Sequence, residues 1–170
     1  MDNFSEQIVV KSRTRSDTTK AVLLTIAMAL VAALCVFFAL RGLSILIVAA
    51  VGAVVGGLWL IRGIGVEYEY IVTNNEMDID KIVGRRKRTR MITVDLSRAE
   101  DFYPCSEKDE QYDTAVYASS GLKSDAYSLI VLHSDYGKVN VIFNPNASTR
   151  EAIAQEVPNA LRARINKNGK

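Results

Sequence analysis

The sequence has few of the residues that build covalent or metal-bound frameworks. Its 170 residues include two cysteines and one histidine. Cys35 lies in an apolar run and Cys105 in a polar region, so we expect no disulfide, and no cysteine–histidine spacing is typical of a zinc site. The lone His133 has no nucleophile motif beside it. We therefore expect no metal, no cofactor, no catalytic residue and no enzyme activity.

Charged residues are nearly absent from residues 21–61, where Arg41 is the single exception. The whole chain nevertheless has 24% charged residues and a mean hydropathy of +0.09, values that an ordinary soluble domain also shows. The average therefore combines a membrane segment of about forty residues with a polar remainder. This pattern excludes a wholly soluble protein, a disordered chain and a large polytopic transporter.

The apolar segment divides into two candidate spans. Residues 21–40 contain no charge, and as a helix they would be about 30 Å long, the thickness of a bilayer core. Residues 43–61 form a second uncharged run, and Arg41-Gly42 separates the two. A single long helix would leave Arg41 in hydrocarbon, which is costly. We predict a two-helix transmembrane hairpin over residues 21–61, and the first span is too long for a signal peptide.

The basic residues indicate the orientation of this hairpin. Four of them precede the first span, and Arg62 and five more at positions 85–90 follow the second, whereas the turn contains Arg41 alone. By the positive-inside rule, both termini are cytoplasmic and the protein is a multi-pass protein of the cell membrane. Residues 1–20 then form a cytosolic N-terminal segment.

Gly52 and Gly56 form a GxxxG pair in the second span. Small residues four apart let two helix backbones approach closely, either within the hairpin or between two molecules. Neither span contains an internal Asp, Glu, Lys, Arg or His, which an ion or proton pathway normally needs. We therefore interpret the hairpin as an anchor, with Gly52 and Gly56 as candidate helix-packing residues.

From Glu67 onward the hydrophobic period changes to two, which is typical of β-strands. Asn74-Asn75 and Val83-Gly84 provide turn signals between the first strands. About seven antiparallel strands are predicted, at residues 67–73, 76–82, 90–96, 99–104, 114–118, 127–134 and 138–143.

A helix is predicted after the last strand. Ser148 and Glu151 have capping-box spacing, and Pro158 should kink or divide the helix. An apolar stripe recurs four residues apart, at Ile153, Val157 and Leu161. Strands followed by one amphipathic helix predict an α+β domain over residues 66–165, in which a bent sheet forms a partial barrel and the helix closes one end.

These patterns carry a resemblance. The strand Tyr68-x-Tyr70-x-Val72-Thr73 and its following meander resemble the opening of bacterial pleckstrin-homology-like (PH-like) domains. The later Val139-x-Val141-x-Phe143-Asn144-Pro145, followed by a helix, is similar to the end of that domain. The chain resembles a family of small two-span membrane proteins of Gram-positive, clostridia-like bacteria. The resemblance implies a PH-like fold and a membrane anchor, and it brings no established activity or site residues.

The highest local charge density lies at the second predicted hairpin turn, in Arg85, Arg86, Lys87, Arg88 and Arg90. Next to a bilayer, each cation would contribute about 1 kcal/mol to contact with anionic headgroups. An acidic protein partner is an alternative, and so is a solvated turn that serves only the positive-inside rule. A nucleic-acid partner is not expected, because the net charge is only +2 and no aromatic residues interleave this run.

An acidic stretch follows the third predicted strand. It lacks the spacing and the glycine of a calcium loop, so we interpret it as a solvated loop rather than a metal site. Its residues are Glu100, Asp101, Glu107, Asp109, Glu110 and Asp113.

Together these features predict a membrane-anchored binding or scaffolding module. Its expected partners are membrane lipids, with a membrane protein or a second copy of the chain as further candidates. The alternative is an accessory subunit of a transporter or envelope complex that associates through the Gly52–Gly56 face.

Overall fold

The computed structural model describes residues 3–105, 114–121 and 125–168. The chain divides into two compact units. The helical unit consists of Arg13–Val66 and Val83–Arg85, and the β unit consists of Met1–Ser12, Glu67–Ile82 and Arg86–Lys170. The β unit therefore takes chain from both sides of the helical unit.

The helical unit contains two apolar helices. Helix α1 (Arg15–Leu40) has 26 residues, and a capping box of Thr14 and Asp17 closes its N-terminus. Helix α2 (Leu46–Arg62) has 17 residues and begins three residues after the predicted start of the second span. Within the described chain, α1 is the helix whose length and composition are sufficient to cross a membrane, and α2 is shorter. The two-span anchor therefore stays a prediction.

Eight strands lie in the described residues, in two four-stranded sheets. Sheet A has the order β1-β2-β3-β4, and sheet B has the order β5-β7-β8-β6. The strands of sheet A are β1 (Phe4–Val10), β2 (Val66–Thr73), β3 (Glu76–Val83) and β4 (Lys87–Asp95). Those of sheet B are β5 (Ala99–Pro104), β6 (Ala115–Ala118), β7 (Tyr127–His133) and β8 (Gly137–Phe143).

Strand β1 was not predicted, so the expected number of about seven strands was too low. It pairs antiparallel with β2, from Phe4 opposite Thr73 to Val10 opposite Glu67. Residues 1–20 are therefore not a separate N-terminal segment, since residues 4–10 belong to sheet A and residues 15–20 belong to α1. The helices α1 and α2 therefore lie, in sequence, between two paired strands.

Strand β6 corrects the expectation of a purely antiparallel fold. Its residues Ala115–Ala118 pair with Asn140–Phe143 of β8 in parallel. The neighbouring pair β7–β8 is antiparallel and turns at Gly137, whose φ of 67° is in the left-handed region that glycine adopts easily. The short β6 therefore runs in the same direction as β8 and in the opposite direction to β7.

The core of the β unit lies between the two sheets. Tyr70 of β2 packs edge-on against Phe143 of β8, with ring centroids 5.3 Å apart. The Tyr70 hydroxyl donates to the carbonyl of Ala118 and accepts from the backbone N–H of Asn144, so its polar end is satisfied. Other side chains with no exposed surface include Val72, Met77, Ile79, Val94, Leu96, Leu129, Val131, Val139, Val141 and Ile153.

Two C-terminal helices complete the β unit. Helix α3 (Ala147–Glu156) and helix α4 (Asn159–Asn168) flank Pro158, as predicted. The predicted apolar stripe of Ile153, Val157 and Leu161 is buried. The predicted N-cap was wrong. Asn146, and not Ser148, caps the N-terminus of α3, and its side chain accepts a hydrogen bond from the Thr149 N–H.

Candidate functional site

The basic run spans the turn and the first residues of β4. Gly84 and Arg85 both have positive φ, 60° and 59°, as tight hairpin turns require. Because β4 begins at Lys87, the cations from Lys87 onward are strand residues. We call Arg85–Lys87, which comprises two residues of the exposed turn and the first residue of β4, the turn segment, and we distinguish it from the strand arginines Arg88 and Arg90.

The first strand arginine, Arg88, forms an ion pair across sheet A. Its Nη2 lies 2.8 Å from Oε1 of Glu69, a side chain that is only 1% exposed. Burial raises the pKa of Glu69, and the positive charge of Arg88 partly opposes that effect. Arg88 itself is 56% exposed, so water screens much of the attraction.

The second strand arginine, Arg90, bridges two aspartates of β3. Its guanidinium contacts Asp80, and its Nη1 lies 2.5 Å from Oδ1 of Asp78. Thr93 joins the cluster by donating to Asp78 at 2.6 Å. The hydrogen bond to Asp80 is the largest cause of the raised pKa of Arg90, and the negative charges of Asp78 and Asp80 raise that pKa further. Arg88 and Arg90 thus neutralise carboxylates of their own sheet.

Gly84 and Arg85, in the β3–β4 turn, belong to the helical unit together with α2. The N–H of Gly84 donates to the carbonyl of Gly65 at 2.7 Å, within the helical unit. Gly65 follows Arg62, the last residue of α2, by three positions. This contact joins the turn to the residues that follow α2, whereas the sequence indicated only a short linker.

Glycines of α2 differ in what surrounds them. A Cβ added to Gly57 would lie 2.5 Å from Sδ of Met28 in α1, so the closest helix approach falls on Gly57. A Cβ added to Gly52 or Gly56 would meet no described atom within 4 Å. The role of these two residues in packing stays a prediction, and the α1 contact does not occupy them.

The two described residues of the acidic stretch, Glu100 and Asp101, pair with cations outside the basic run. Glu100 pairs with Lys138 at 2.7 Å, and Asp101 pairs with Arg164 at 3.2 Å. The other members of the acidic stretch lie outside the described residues: Glu107, Asp109, Glu110 and Asp113. Among the described residues, no three His, Cys, Asp or Glu side chains form a group that could hold a metal ion.

His133 takes part in a local turn. Its Nδ1 accepts from the Asp135 N–H at 3.0 Å, and its ring centroid lies 4.8 Å from that of Tyr136. These contacts stabilise the β7–β8 turn.

A cavity of about 470 Å³ in the β unit was not predicted. Its lining comes from β1, the start of β7, the end of β8 and the start of α3, and it includes Gln7, Asp125, Asn144 and Arg150. These segments are far apart in sequence, so no local motif could have indicated the cavity.

Comparison with known proteins gives one match. A family model described as "Bacterial PH-like domain (DUF6106)" matches residues 1–163. No curated protein and no solved structure matches the chain. The match includes β1 and both helices together with the β strands.

Proposed function

Because the chain belongs to the bacterial PH-like domain family, we propose that it is a membrane-anchored binding module whose turn segment, Arg85–Lys87, contacts anionic lipid headgroups. In this proposal α1 and α2 both span the cell membrane. The β unit is the part that binds or scaffolds partners on the cytoplasmic side.

The hydrogen bond from Gly84 to Gly65 carries this proposal. Within the helical unit, it joins the turn residues Gly84 and Arg85 to the linker that follows Arg62, the residue that ends an apolar helix. Cations at the end of a membrane span lie at the depth of the headgroups.

The pairing of β1 with β2 supports the proposed topology. These strands immediately precede and follow the helical unit and are hydrogen-bonded to one another over seven residue pairs. Two strands of one sheet lie on the same side of a bilayer. An even number of crossings between them satisfies this condition, and two spans with Arg41 at the far interface provide it.

The lipid contact can be tested with the single tryptophan of the chain. Trp59 lies near the end of α2, in the same unit as Arg85. The full chain is reconstituted in vesicles that contain brominated phosphatidylglycerol or brominated phosphatidylcholine at equal mole fraction. We expect stronger quenching of Trp59 by the anionic lipid. Three cations at about 1 kcal/mol each would enrich that lipid by up to two orders of magnitude at low salt.

The triple variant Arg85→Gln, Arg86→Gln, Lys87→Gln should abolish this preference. Arg98→Gln is the matched control, because Arg98 is an exposed arginine beyond the other end of β4. Equal quenching by both lipids in the wild type, or an unchanged preference in the triple variant, would remove the proposed lipid contact.

The topology can be tested by cysteine accessibility. In a background with Cys35→Ala and Cys105→Ala, Leu43→Cys labels the turn between the helices and Asp135→Cys labels the β7–β8 turn. We expect an impermeant maleimide to modify residue 43 in intact cells and residue 135 only after the membrane is opened. Labelling of both positions, or of neither, in intact cells would contradict two spans.

The open face of α2 favours a second function, that of an accessory subunit in a membrane complex. Gly52 and Gly56 have free space above their backbone, whereas Gly57 is already covered by Met28. A helix of another chain, or a second copy, fits such a surface.

A further inference from the structure

Strand β1 lies at one edge of sheet A and has β2 as its single neighbour in that sheet. The N–H of Asn74 donates to the carbonyl of Asn3, one residue before β1, at 2.9 Å. In an antiparallel pair, residues that bond to the neighbouring strand alternate with residues that do not. Odd-numbered residues of β1 therefore bond to β2, and the even-numbered ones direct their N–H and C=O groups to the open edge. These edge residues are Phe4, Glu6, Ile8 and Val10.

The open edge runs the length of β1. In the part of the chain that the structure describes, no backbone hydrogen bond to another segment uses the edge residues. The side chains of Phe4, Ile8 and Val10 are apolar, and these residues are 62%, 53% and 61% exposed. The edge closes two residues after β1, where the N–H of Ser12 donates to the carbonyl of Ser120 at 2.7 Å. An open, apolar edge of seven residues is therefore available for pairing.

The other edge strands of the described sheets have features that oppose pairing with another chain. At the far edge of sheet A, β4 contains Lys87, Arg88 and Arg90, and charged residues disfavour strand addition. In sheet B, β5 ends with Pro104 and β6 has only four residues. The seven residues of β1 include no lysine, arginine or proline. Among the described strands, β1 is therefore the edge that favours an added strand.

The sequence of β1 restricts how a second copy could pair with it. A two-fold axis perpendicular to the sheet places even-numbered residues opposite even-numbered ones. A register centred on Glu6 would place Glu6 opposite its own copy, and like charges directly opposite are destabilising. Registers centred on Ile8 or Val9 would place an edge residue opposite Ser12, whose N–H already donates to Ser120. These shifted registers are therefore disfavoured.

The register centred on Gln7 pairs all seven residues of β1 with all seven of its copy. Phe4 then lies opposite Val10 of the copy, and Glu6 lies opposite Ile8 of the copy. Each of the four pairs of edge residues exchanges two backbone hydrogen bonds, about eight in all. Phe4 and Val10 form an aromatic and β-branched pair at each end, which is a favourable cross-strand combination. The edge of β1 is therefore complementary to itself in length, charge and side-chain type.

We propose that two copies of the chain pair through the open edges of their β1 strands, antiparallel and centred on Gln7. The two copies of sheet A then form one continuous sheet with the order β4-β3-β2-β1-β1-β2-β3-β4. This contact lies within the β unit and requires neither the lipid contact of the turn segment nor the glycines of α2. It gives the binding module a second copy of each of its surfaces.

Disulfide cross-linking in membranes tests the register. In a background with Cys35→Ala and Cys105→Ala, a full-length Phe4→Cys chain and a differently tagged full-length Val10→Cys chain are produced together and oxidised with copper phenanthroline. We expect a disulfide between the two chains, because the Cα atoms of residues 4 and 10 would be about 5.5 Å apart. Phe4→Cys alone should not cross-link, since the two copies of residue 4 would be about 20 Å apart.

Two further variants control for collision and for the edge itself. Leu132→Cys, at an exposed apolar position of sheet B, replaces Val10→Cys as the matched control and should give only background product with Phe4→Cys. Ile8→Pro, added to both cysteine chains, removes an N–H from the open edge and leaves the bonds of β1 to β2 in place. It should reduce the cross-linked product of residues 4 and 10 by about tenfold or more.

Amide exchange of the wild-type full chain in detergent, resolved by residue with NMR, needs no substitution. In a single copy the amides of Gln7 and Val9 bond to β2, whereas those of Glu6 and Ile8 point to the open edge. In the paired state all four amides should be protected. Dilution into excess detergent should speed the exchange of Glu6 and Ile8 at least about tenfold and leave that of Gln7 and Val9 slow.

Several outcomes would overturn the proposal. These are a product of residues 4 and 10 no stronger than the Leu132→Cys control, an equal product from Phe4→Cys alone, or a product that Ile8→Pro leaves unchanged. Should Ile8→Pro expose the amides of Gln7 and Val9, β1 itself is disturbed and wild-type exchange decides. Protection of Glu6 and Ile8 that persists on dilution would show that another segment covers the edge and would refute pairing with a second copy. Quenching of Trp59 by brominated lipid reports the lipid contact separately, so the failure of either proposal is distinguishable.

Discussion

Gln7 of β1 offers a direct test of the strand that was not predicted. Its amide joins β1 to the junction of β8 and α3 by three hydrogen bonds. Nε2 donates to the Asn144 carbonyl at 2.9 Å, and Oε1 accepts from the Asn146 N–H at 2.8 Å and from the Thr149 hydroxyl at 2.9 Å. Replacing Gln7 by alanine removes all three bonds and leaves the backbone of β1 intact.

The expected cost of this substitution follows from burial. Two of the bonds are partly buried and should contribute about 1 kcal/mol each, and the exposed bond to the Asn146 N–H should contribute less. Thr149 has no exposed surface and retains Ser5 as a partner at 3.3 Å, so its hydroxyl is not left without a hydrogen bond. We expect Gln7→Ala to lower the free energy of opening β1 by about 2–3 kcal/mol.

Amide hydrogen exchange of the full chain in detergent measures this opening. Peptides from β1 should exchange about 30- to 150-fold faster in Gln7→Ala than in the wild type. Gln7→Glu keeps the acceptor oxygen and loses the donor, so an intermediate effect is expected. Gln155→Ala, at an exposed position of α3, should leave β1 unchanged. If Gln7→Ala and Gln155→Ala exchange alike, β1 is not held by the contacts described.

Two further predictions concern the helix contact and a buried carboxylate. Gly57→Leu should lower the stability of the α1–α2 pair by about 1–3 kcal/mol, because its side chain would collide with Met28. Gly52→Leu should leave thermal unfolding in detergent unchanged and should reduce the size of any assembly seen on native gels. If Gly52→Leu lowers thermal stability and Gly57→Leu reduces the assembly, the roles assigned to these two glycines are refuted. Since burial raises the pKa of Glu69, the folded protein binds more protons than the unfolded chain above about pH 4.5, so stability falls as pH rises through the folded pKa. Urea titrations at several pH values should show no such loss of unfolding free energy in Glu69→Gln. If the unfolding free energy of variant and wild type depends on pH in the same way, the role of Glu69 is contradicted.

The strands with strong alternation were predictable from sequence. In β2 and β3, core residues such as Tyr70 and Ile79 alternate with charged ones, and Asn74 in the left-handed region forms the turn between them. β1 has the opposite pattern, because its inward positions Ser5 and Gln7 are polar and its outward positions include exposed apolar side chains. A rule that places apolar residues inward cannot detect such a strand. Its polar inward groups are satisfied only by partners about 140 residues away.

The candidate site was predictable in composition and not in geometry. The density of cations at residues 85–90 is evident in the sequence. Which cations pair with carboxylates of the sheet depends on strand register, since only pairing across sheet A brings Arg88 to Glu69 and Arg90 to Asp80. The cavity of the β unit depends on even longer-range contacts, because β1 supplies part of its lining.

The position of β1 also makes the completion of sheet A depend on the helical segment during folding. Val10 pairs with Glu67, so β1 cannot join sheet A until the whole helical segment has been made. As a flexible loop of about 55 residues, that segment would impose a large closure entropy. A formed helical hairpin shortens the effective loop to the few residues on either side, which reduces the cost by about 1.5 kcal/mol. Formation of α1 and α2 therefore favours the pairing of β1 with β2. Residues of β1 in turn supply part of the lining of the β-unit cavity, so this cavity is complete only after β1 has paired.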